Sequence, residues 1–290
     1  MPALLSDLRR RVVLLDGAMG TMLLDRGLPL GTPPERWVLE RPDEVLAVHR
    51  RYVAAGAEVL TTCTFGGTAP NLARAGLSQH RHAIWSAAVE LAREAIGAAG
   101  WVLGDLGPIW PPLGEPRAPD EAERRAAYAE EAAALAAAGC DALLVETMTD
   151  LDEAVLAIST IRDVTPCPVL STLAFLPATA ERAAIDPRLA AHRLARAGAA
   201  AVGANCMLDA REMLETIVGL VAATDLPVIA RPNGGQPRRD DAGRFVYDET
   251  PERFAAGVAR LVAVGANAVG GCCGTTPAFI AAAAAALGGR

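Results

Sequence analysis

The segment DALLVETMTDLDEAVLAISTIR, residues 141–162, places a buried-strand pattern directly before a helical one. Asp141–Thr147 holds a short apolar run with the length and composition of a strand in a parallel sheet. Leu151–Arg162 then repeats apolar residues at intervals of three and four, as one buried face of a helix requires. A polar residue, Glu146, stands at the end of the apolar run. The segment therefore predicts one strand–helix unit with a carboxylate at the carboxyl end of its strand.

The same unit recurs along the whole chain. Eight apolar runs predict strands: Val12–Asp16, Ala57–Cys63, Trp101–Leu106, Asp141–Thr147, Pro168–Ala174, Ala200–Cys206, Pro227–Asn233 and Ala266–Cys272. Each is followed by a stretch with helical spacing, and several of these stretches end in glycine, which readily closes a helix. Eight such units in 290 residues predict an α/β protein with a single-domain (β/α)8 TIM barrel.

A doubly wound parallel sheet is the main alternative for this alternation of strands and helices. That fold would place a glycine-rich phosphate-binding turn after its first strand. Here the first predicted strand is followed by Asp16-Gly17-Ala18-Met19-Gly20-Thr21, which has two glycines but not the spacing of the dinucleotide fingerprint. The sequence therefore favours the barrel.

Composition excludes several partners and reactions. The chain is 52% hydrophobic with a net charge of -7, and no basic patch marks a nucleic-acid interface. All 27 basic residues are arginine, so pyridoxal-phosphate enzymes, Schiff-base aldolases and P-loop kinases lack the lysine that they need. The apolar runs are too short to cross a bilayer, and the amino-terminal MPALLSDLRRR has its basic residues after the apolar ones, unlike a secretory signal. We expect a cytoplasmic protein that binds neither nucleic acid nor membrane.

The predicted strands carry polar residues where they end. Barrel enzymes build their active sites at the carboxyl ends of the strands. Seven predicted strands have such a residue at or near this end: Asp16, Thr62, Asp105, Glu146, Cys206, Asn233 and Cys272. Packing alone does not explain polar groups at the tips of seven apolar strands. We therefore expect these side chains to face one cavity.

Three cysteines suggest a metal site in that cavity. Cys272 and Cys273 are adjacent, with glycines on both sides, and Cys206 ends the sixth predicted strand. Thiols at the ends of two strands can converge on one soft metal ion. The spacing leaves two alternatives open, namely three small buried residues or a disulfide between Cys272 and Cys273. A cytoplasmic setting disfavours the disulfide.

The other cysteines and the histidines predict less. Cys140 and Cys167 precede strands, at the end of the barrel away from the tips, and we interpret them as inert buried thiols. Cys63 lies on the active face, where it can line the pocket without binding metal. A histidine-based metal site is not supported, because all four histidines fall in helical segments: His49, His80, His82 and His192.

Seven motifs, spread over nearly the whole chain, resemble those of the homocysteine S-methyltransferase family. They are Asp16-Gly17-Ala18-Met19-Gly20-Thr21, Thr61-Thr62-Cys63-Thr64-Phe65-Gly66, Gly104-Asp105-Leu106-Gly107-Pro108, Glu146-Thr147, Asn205-Cys206, Pro232-Asn233-Gly234-Gly235 and Gly270-Gly271-Cys272-Cys273-Gly274-Thr275-Thr276-Pro277. The last motif is the most specific. This family includes the homocysteine-binding module of cobalamin-dependent methionine synthase, the S-methylmethionine-dependent enzyme and the betaine-dependent enzyme.

The motifs also differ from those of individual members of the family. Many methionine synthases have Asn at the position of Cys63. The betaine enzymes have Tyr at the positions of Gly66 and Thr147, which weakens a betaine assignment. Around these two positions the chain is more similar to the methionine synthase module.

The resemblance implies that residues 1–290 form a homocysteine-binding (β/α)8 barrel that requires Zn²⁺. It implies that the zinc ligands, which are also the catalytic groups, are three cysteines: Cys206, Cys272 and Cys273. It implies that the amino acid end of homocysteine is bound by residues after strands one, two and four: Asp16, Gly17, Thr62 and Glu146. Asn233 completes this substrate site and, by the same resemblance, can approach the metal when substrate is absent.

The chemistry agrees with these implied roles. Zinc with three protein ligands keeps a fourth position open, and it deprotonates a thiol that binds there. The carboxylates of Asp16 and Glu146 suit the α-ammonium group of homocysteine, and backbone N–H groups after strand one suit its carboxylate. We therefore expect a zinc-bound homocysteine thiolate to attack a methyl donor and form methionine.

The methyl donor is predicted from chemistry rather than from a motif. The methyl group of a sulfonium is already activated by positive charge, whereas a folate methyl group usually passes through cobalamin. No folate-binding or cobalamin-binding domain follows the barrel in this sequence, which favours S-methylmethionine or another sulfonium. Aromatic rings near the metal would suit such a cation, and four are candidates: Trp37, Phe65, Trp110 and Phe175.

Two other functions remain open at this stage. The chain can instead be the stand-alone homocysteine-binding subunit of a split cobalamin-dependent methionine synthase, with a separate methylcobalamin protein as its partner. A structural zinc site in an unrelated barrel enzyme is the third hypothesis, and it would leave Asp16 and Glu146 without a joint role.

Overall fold

Parallel strands form a continuous sheet in the computed structural model, which describes residues 3–109, 119–176, 184–240 and 245–288. The strands of these residues are β1 Val13–Leu14, β2 Val59–Thr61, β3 Trp101–Leu106, β4 Ala142–Met148, β5 Val169–Leu173, β6 Ala201–Asn205, β7 Val228–Arg231, β8 Pro237–Arg239, β9 Phe245–Tyr247 and β10 Ala268–Val269. The eight-stranded sheet has the order β1-β10-β7-β6-β5-β4-β3-β2, and its pairs are parallel. A parallel bridge between Leu15 and Val59 joins its two edges, so the sheet closes into a barrel.

Helices connect the barrel strands. Those of the described residues are α1 Ala3–Arg10, α2 Gly20–Asp25, α3 Glu35–Glu40, α4 Pro42–Ala54, α5 Ala69–Arg74, α6 Arg81–Ile96, α7 Glu121–Ala137, α8 Leu151–Val164, α9 Pro187–Ala197, α10 Leu214–Val221, α11 Pro251–Ala263 and α12 Pro277–Gly288, with a 3-10 turn at Ser78–His80. Asp150 illustrates how they begin, because its side chain accepts hydrogen bonds from the backbone N–H groups of Asp152 and Glu153. Within the described ranges, no helix is both long enough and apolar enough to cross a membrane.

The structure confirms the predicted single-domain (β/α)8 barrel. Each of the eight predicted strands is present, with ends that differ from the prediction by three residues at most. The closed ring of strands excludes the doubly wound sheet, whose edges stay open. The antiparallel hairpin of β8 and β9 that follows β7 was not predicted, nor was helix α1 before β1.

Two apolar cores hold the barrel together. The smaller one fills the inside of the barrel, where Leu4 and Leu8 of α1 pack against inward-facing strand residues such as Val13, Leu103 and Ile229. The larger core lies between the strands and the surrounding helices. Because apolar side chains fill the interior and α1 covers it, the polar residues of the strand tips are restricted to the opposite end.

His49 is buried in α4, with no hydrogen-bond partner among the described residues for either ring nitrogen. Burial lowers its pKa to about 4. Below about pH 6.5 the unfolded chain therefore binds a proton at His49, whereas the folded protein does not bind it until the pH approaches 4. The contribution of His49 to the free energy of unfolding is thus complete above about pH 6.5 and is lost as the pH falls towards 4.

We expect His49→Leu to reduce the acid sensitivity of the fold. Between pH 7.5 and pH 5, the unfolding free energy of the wild type should fall by about 2 kcal/mol more than that of the variant. Urea unfolding at the two pH values measures this difference. Equal losses in both proteins would show that His49 is not held neutral.

Candidate active site

Three thiols lie together at the carboxyl ends of β6 and β10. The sulfur atoms of Cys206, Cys272 and Cys273 are all within 4.8 Å of one another, and the Cys206–Cys273 separation is 3.8 Å. All three are free thiols, so the structure does not contain the alternative disulfide between Cys272 and Cys273. The three cysteines are partly buried.

The spacing of these thiols fits a single tetrahedral metal ion. With Zn–S bonds of about 2.3 Å and tetrahedral angles, two thiolate ligands lie about 3.8 Å apart. The observed separation between the sulfur atoms of Cys206 and Cys273 is 3.8 Å, which matches this value. The donor set can therefore hold one thiophilic ion with little movement.

The three thiols are coupled by hydrogen bonds. Hydrogen bonds with Cys272 and Cys273 lower the pKa of the Cys206 thiol to about 4. The same hydrogen bond to Cys206 is the main cause that raises the pKa of Cys272 to about 12. Cys206 is therefore the thiol of the cluster that loses its proton most readily, and a metal ion that binds all three must displace the protons that remain.

Unusual backbone geometry places these cysteines. Cys206 and Met207 both have φ of 60°, a left-handed conformation that is rare for residues other than glycine. Gly274 has φ of 79°, and a Cβ atom there would lie 2.2 Å from the ring of Tyr247 in β9. Tyr247 in turn hydrogen-bonds Cys273. The unpredicted hairpin therefore brings an aromatic residue to the thiol cluster, and glycine makes room for it.

Asn205 connects the thiol cluster to the end of β4. Its side chain accepts a hydrogen bond from the backbone N–H of Thr147 and donates one to the Thr147 hydroxyl. The same amide group lies 3.7 Å from the sulfur of Cys272, within reach of an N–H···S hydrogen bond. Asn205 is fully buried, so it holds Cys272 in a fixed orientation.

A buried arginine that the sequence analysis did not single out lies between the two predicted carboxylates. The Arg231 guanidinium at the end of β7 is 2.8 Å from Asp16 and 2.8 Å from Glu146. It also donates hydrogen bonds to the Thr61 hydroxyl and to the carbonyl of Gly271. Asp16 and Glu146 are therefore brought together as predicted, but through an ion-pair network that already satisfies part of their charge.

Thr62 and Asp105 belong to the same buried layer. The Thr62 hydroxyl accepts a hydrogen bond from the backbone N–H of Asp105 and lies 2.7 Å from the Thr64 hydroxyl. Burial, and then the charge of Glu146, raises the pKa of Asp105 well above its usual range. Burial likewise raises the pKa of Glu146 to about 7, and the two carboxyl groups are hydrogen-bonded. Burial therefore favours the protonated form of both carboxyl groups.

Gly17 and Asn233 lie beside this layer. A Cβ atom at Gly17 would be 2.7 Å from the hydroxyl of Thr275, which also accepts a hydrogen bond from the N–H of Ala18. Asn233 is 2% exposed, and its Oδ1 atom has no hydrogen-bond partner among the described residues. A buried acceptor without a partner is costly, so Asn233 is suited to contact a bound group.

The four candidate aromatic residues differ in their surroundings. Trp37 is buried in the larger core, with the Arg41 guanidinium 5.1 Å above its ring. Phe175 is 7% exposed, and Phe65 is only partly exposed. Trp110 lies outside the described residues. Among the described residues, Tyr247 has an aromatic ring that hydrogen-bonds a thiol of the cluster, Cys273.

The remaining cysteines lie apart from the cluster. Cys63 is 3% exposed, and burial raises its pKa well above the usual range. Cys140 and Cys167 are hydrogen-bonded to each other at the amino-terminal ends of β4 and β5. They are partly rather than fully buried, because they pack at the rim of the larger core.

The family model described as homocysteine S-methyltransferase matches residues 13–287. The match includes every strand of the barrel and the three cysteines. The chain belongs to the homocysteine S-methyltransferase family. Membership confirms the resemblance of the seven motifs.

Individual relatives agree with this assignment. The chain is 32% identical to methionine synthase of Mycobacterium tuberculosis and 33% identical to that of Mycobacterium leprae, over 98% of its own length. It spans only a quarter of the length of these curated relatives. The metallated form of the homocysteine methyltransferase MmuM from Escherichia coli has a similar structure, with a TM-score of 0.79, 26% identity and 98% of each chain covered.

The polar network of this site was only partly visible in the sequence. Arg231 interrupts the apolar run of β7, and a charged residue in a strand that is buried on both faces is a signal that was available. Asn205 was visible within the Asn205-Cys206 motif, but its partner Thr147 is 58 residues away. No local pattern predicts that pairing.

We expect Cys206→Ala to abolish stoichiometric metal binding. Wild-type protein should bind one Co²⁺ per chain and show the absorption bands of thiolate ligation. The variant should bind Co²⁺ at least about 100-fold more weakly, a larger loss than substitution of a residue that only supports the ligands typically causes. Cys140→Ala is the matched control, because this thiol lies at the other end of the barrel. Unchanged binding by Cys206→Ala would contradict the three-cysteine site.

Proposed function

We propose that this protein is a zinc-dependent homocysteine S-methyltransferase that forms methionine, with residues 1–290 acting as its homocysteine-binding barrel. One observation carries the proposal: three free thiols converge within 4.8 Å at the mouth of the barrel, beside buried carboxylates, in a chain of this family. The six unpaired cysteines suit the reducing cytoplasm, where we place the protein.

The chain contributes a rigid set of zinc ligands. Cys206, Cys272 and Cys273 would bind the ion, and Asn205 holds Cys272 in place. When bound there, zinc supplies a Lewis acid that lowers the pKa of the acceptor thiol and keeps it as a thiolate. The unpartnered Oδ1 atom of Asn233 is suited to contact this end of the site.

The amino acid end of homocysteine would bind beside the thiols. Asp16 and Glu146 carry the negative charge that its α-ammonium group requires, and Thr62 positions Asp105 against Glu146. Backbone N–H groups near Gly17, at the turn after β1, suit the substrate carboxylate. These contacts would orient the thiol towards the donor without taking part in bond formation.

The methyl donor that best suits this site is a sulfonium such as S-methylmethionine. A bond forms between the acceptor sulfur and the methyl carbon while the sulfonium bond breaks and its electron pair stays on the donor sulfur. No proton moves in this step, so the site needs no general acid. The half-buried ring of Tyr247 beside Cys273 offers an aromatic face to the cationic donor.

A methylcobalamin protein is the second candidate donor. The identity of 32% with methionine synthase of Mycobacterium tuberculosis, over 98% of this chain, favours it. In that case the protein would act as the homocysteine-binding part of a cobalamin-dependent synthase.

A panel of donors distinguishes the two candidates. The zinc-loaded protein and homocysteine should form methionine with S-methylmethionine, more slowly or not at all with S-adenosylmethionine, and not with betaine. Free methylcobalamin is the fourth donor in the panel. Methionine is quantified by mass spectrometry with isotopically labelled methyl groups, and Cys206→Ala is the inactive control.

Each outcome of the panel has a definite meaning. Methionine formed from methylcobalamin alone would reject the sulfonium and favour the split synthase. No methionine from any of the four donors, in protein that binds both zinc and homocysteine, would contradict a stand-alone enzyme.

A further inference from the structure

The Arg231 guanidinium is the most connected side chain of the site. It is fully enclosed at the end of β7, with 4% of its side chain exposed. Four hydrogen bonds leave it: Nη2 to Asp16, Nη1 to Glu146 and to Thr61, and Nε to the carbonyl of Gly271. A guanidinium has five N–H donors, so Arg231 is almost fully engaged by the protein and is poorly suited to bind a substrate carboxylate.

Arg231 leaves its two carboxylate partners in different states. The Oδ1 atom of Asp16 accepts from Arg231 and from the Thr61 hydroxyl, and its Oδ2 atom accepts from the Thr61 backbone N–H. Its side chain is 4% exposed. Arg231 holds only the Oε1 atom of Glu146, whose side chain is 11% exposed. Of the two, Glu146 has the greater capacity for a further hydrogen bond.

When the hydrogen-bonded pair of Asp105 and Glu146 holds one proton, the charges of the layer sum to a single negative charge. Asp16 then contributes one negative charge, the pair contributes one, and Arg231 contributes one positive charge. One ammonium group balances this total. Without Arg231 the layer would carry two negative charges, and a single ammonium group would leave one of them buried and unpaired.

We propose that Arg231 determines how the acceptor is recognised, by neutralising Asp16 so that Glu146 alone receives the α-ammonium group of the substrate. This inference rests on the proposed function, because it concerns the amino acid end of the same acceptor. Arg231 is a positioning residue and Asp16 is its counter-ion, whereas Glu146 touches the substrate. The protein therefore selects α-amino thiols over thiol acids of the same length.

The test compares L-homocysteine with 4-mercaptobutanoate, which lacks only the α-ammonium group. Calorimetry on zinc-loaded protein gives the ratio of the two dissociation constants, and this readout does not require methyl transfer. Glu146→Gln should lower the ratio by about 10- to 150-fold, the value of one charge-assisted hydrogen bond. Asp16→Asn should also lower it, because Arg231 is then left to compete with the ammonium group for Glu146.

Two double variants with the same net charge provide the matched comparison. Asp16→Asn with Arg231→Met keeps Glu146 and restores the single negative charge, so the ratio should return to within about threefold of wild type. Glu146→Gln with Arg231→Met also carries one negative charge when the buried Asp105 keeps the proton. That charge lies on the enclosed Asp16, so the ratio for this variant should stay low. Thermal unfolding and zinc content confirm that each variant is folded. If the double variants do not fold, the ratios of the dissociation constants measured for Asp16→Asn and Glu146→Gln test the inference.

The possible results separate the inference from the proposed function. Recovery in both double variants would show that net charge alone sets the preference, and recovery in neither would show that Arg231 is only structural. Either result overturns the inference. If only the single variants fold, a larger loss in Asp16→Asn than in Glu146→Gln also overturns it. Failure of the wild type to bind homocysteine would instead overturn the proposed function, and the inference with it.

Discussion

Closure of the barrel is the constraint on which the site depends. Cys206 and Cys273 are 67 positions apart in the chain, yet their sulfur atoms lie 3.8 Å apart because β6 and β10 both flank β7 and end at the same rim. The apolar interior and α1 fill the other end, so polar side chains collect at this rim. A thiol cluster of this geometry needs no long loop to assemble it, since the strands themselves fix the positions of its members.

Burial of charge is the cost of this arrangement, and the Arg231 network offsets it. Taking Asp16, Glu146 and Arg231 out of water is unfavourable by several kcal/mol for each ion unless the charges are paired and hydrogen-bonded. The structure meets both conditions, with two ion pairs of 2.8 Å and further bonds to Thr61 and Gly271. Such a network gives a single arrangement of donors and acceptors, which is what a site that must orient a small amino acid requires.

The sequence predicted the barrel well because the barrel repeats a local pattern. The apolar run of β4 and the helical spacing of α8 are both contained within 22 neighbouring residues, and the structure places each element there. The thiols and the carboxylates at the strand tips were predicted for the same reason. Arg231 was missed, because its partners Glu146 and Asp16 are 85 and 215 positions away and only the closed barrel brings them together. The β8–β9 hairpin was missed because its strands have three exposed or partly exposed residues each and no apolar alternation. Tyr247 therefore had no visible connection to Cys273.

Zinc K-edge X-ray absorption on the zinc-loaded protein, before and after saturation with homocysteine, shows whether the acceptor thiol binds the metal. We expect three sulfur neighbours at about 2.3 Å in the free protein and four after homocysteine is added. 4-Mercaptobutanoate should give the four-sulfur spectrum only at much higher concentration. A sulfur count that stays at three when homocysteine is bound would contradict the proposed mechanism, because the acceptor thiol would then bind away from the metal.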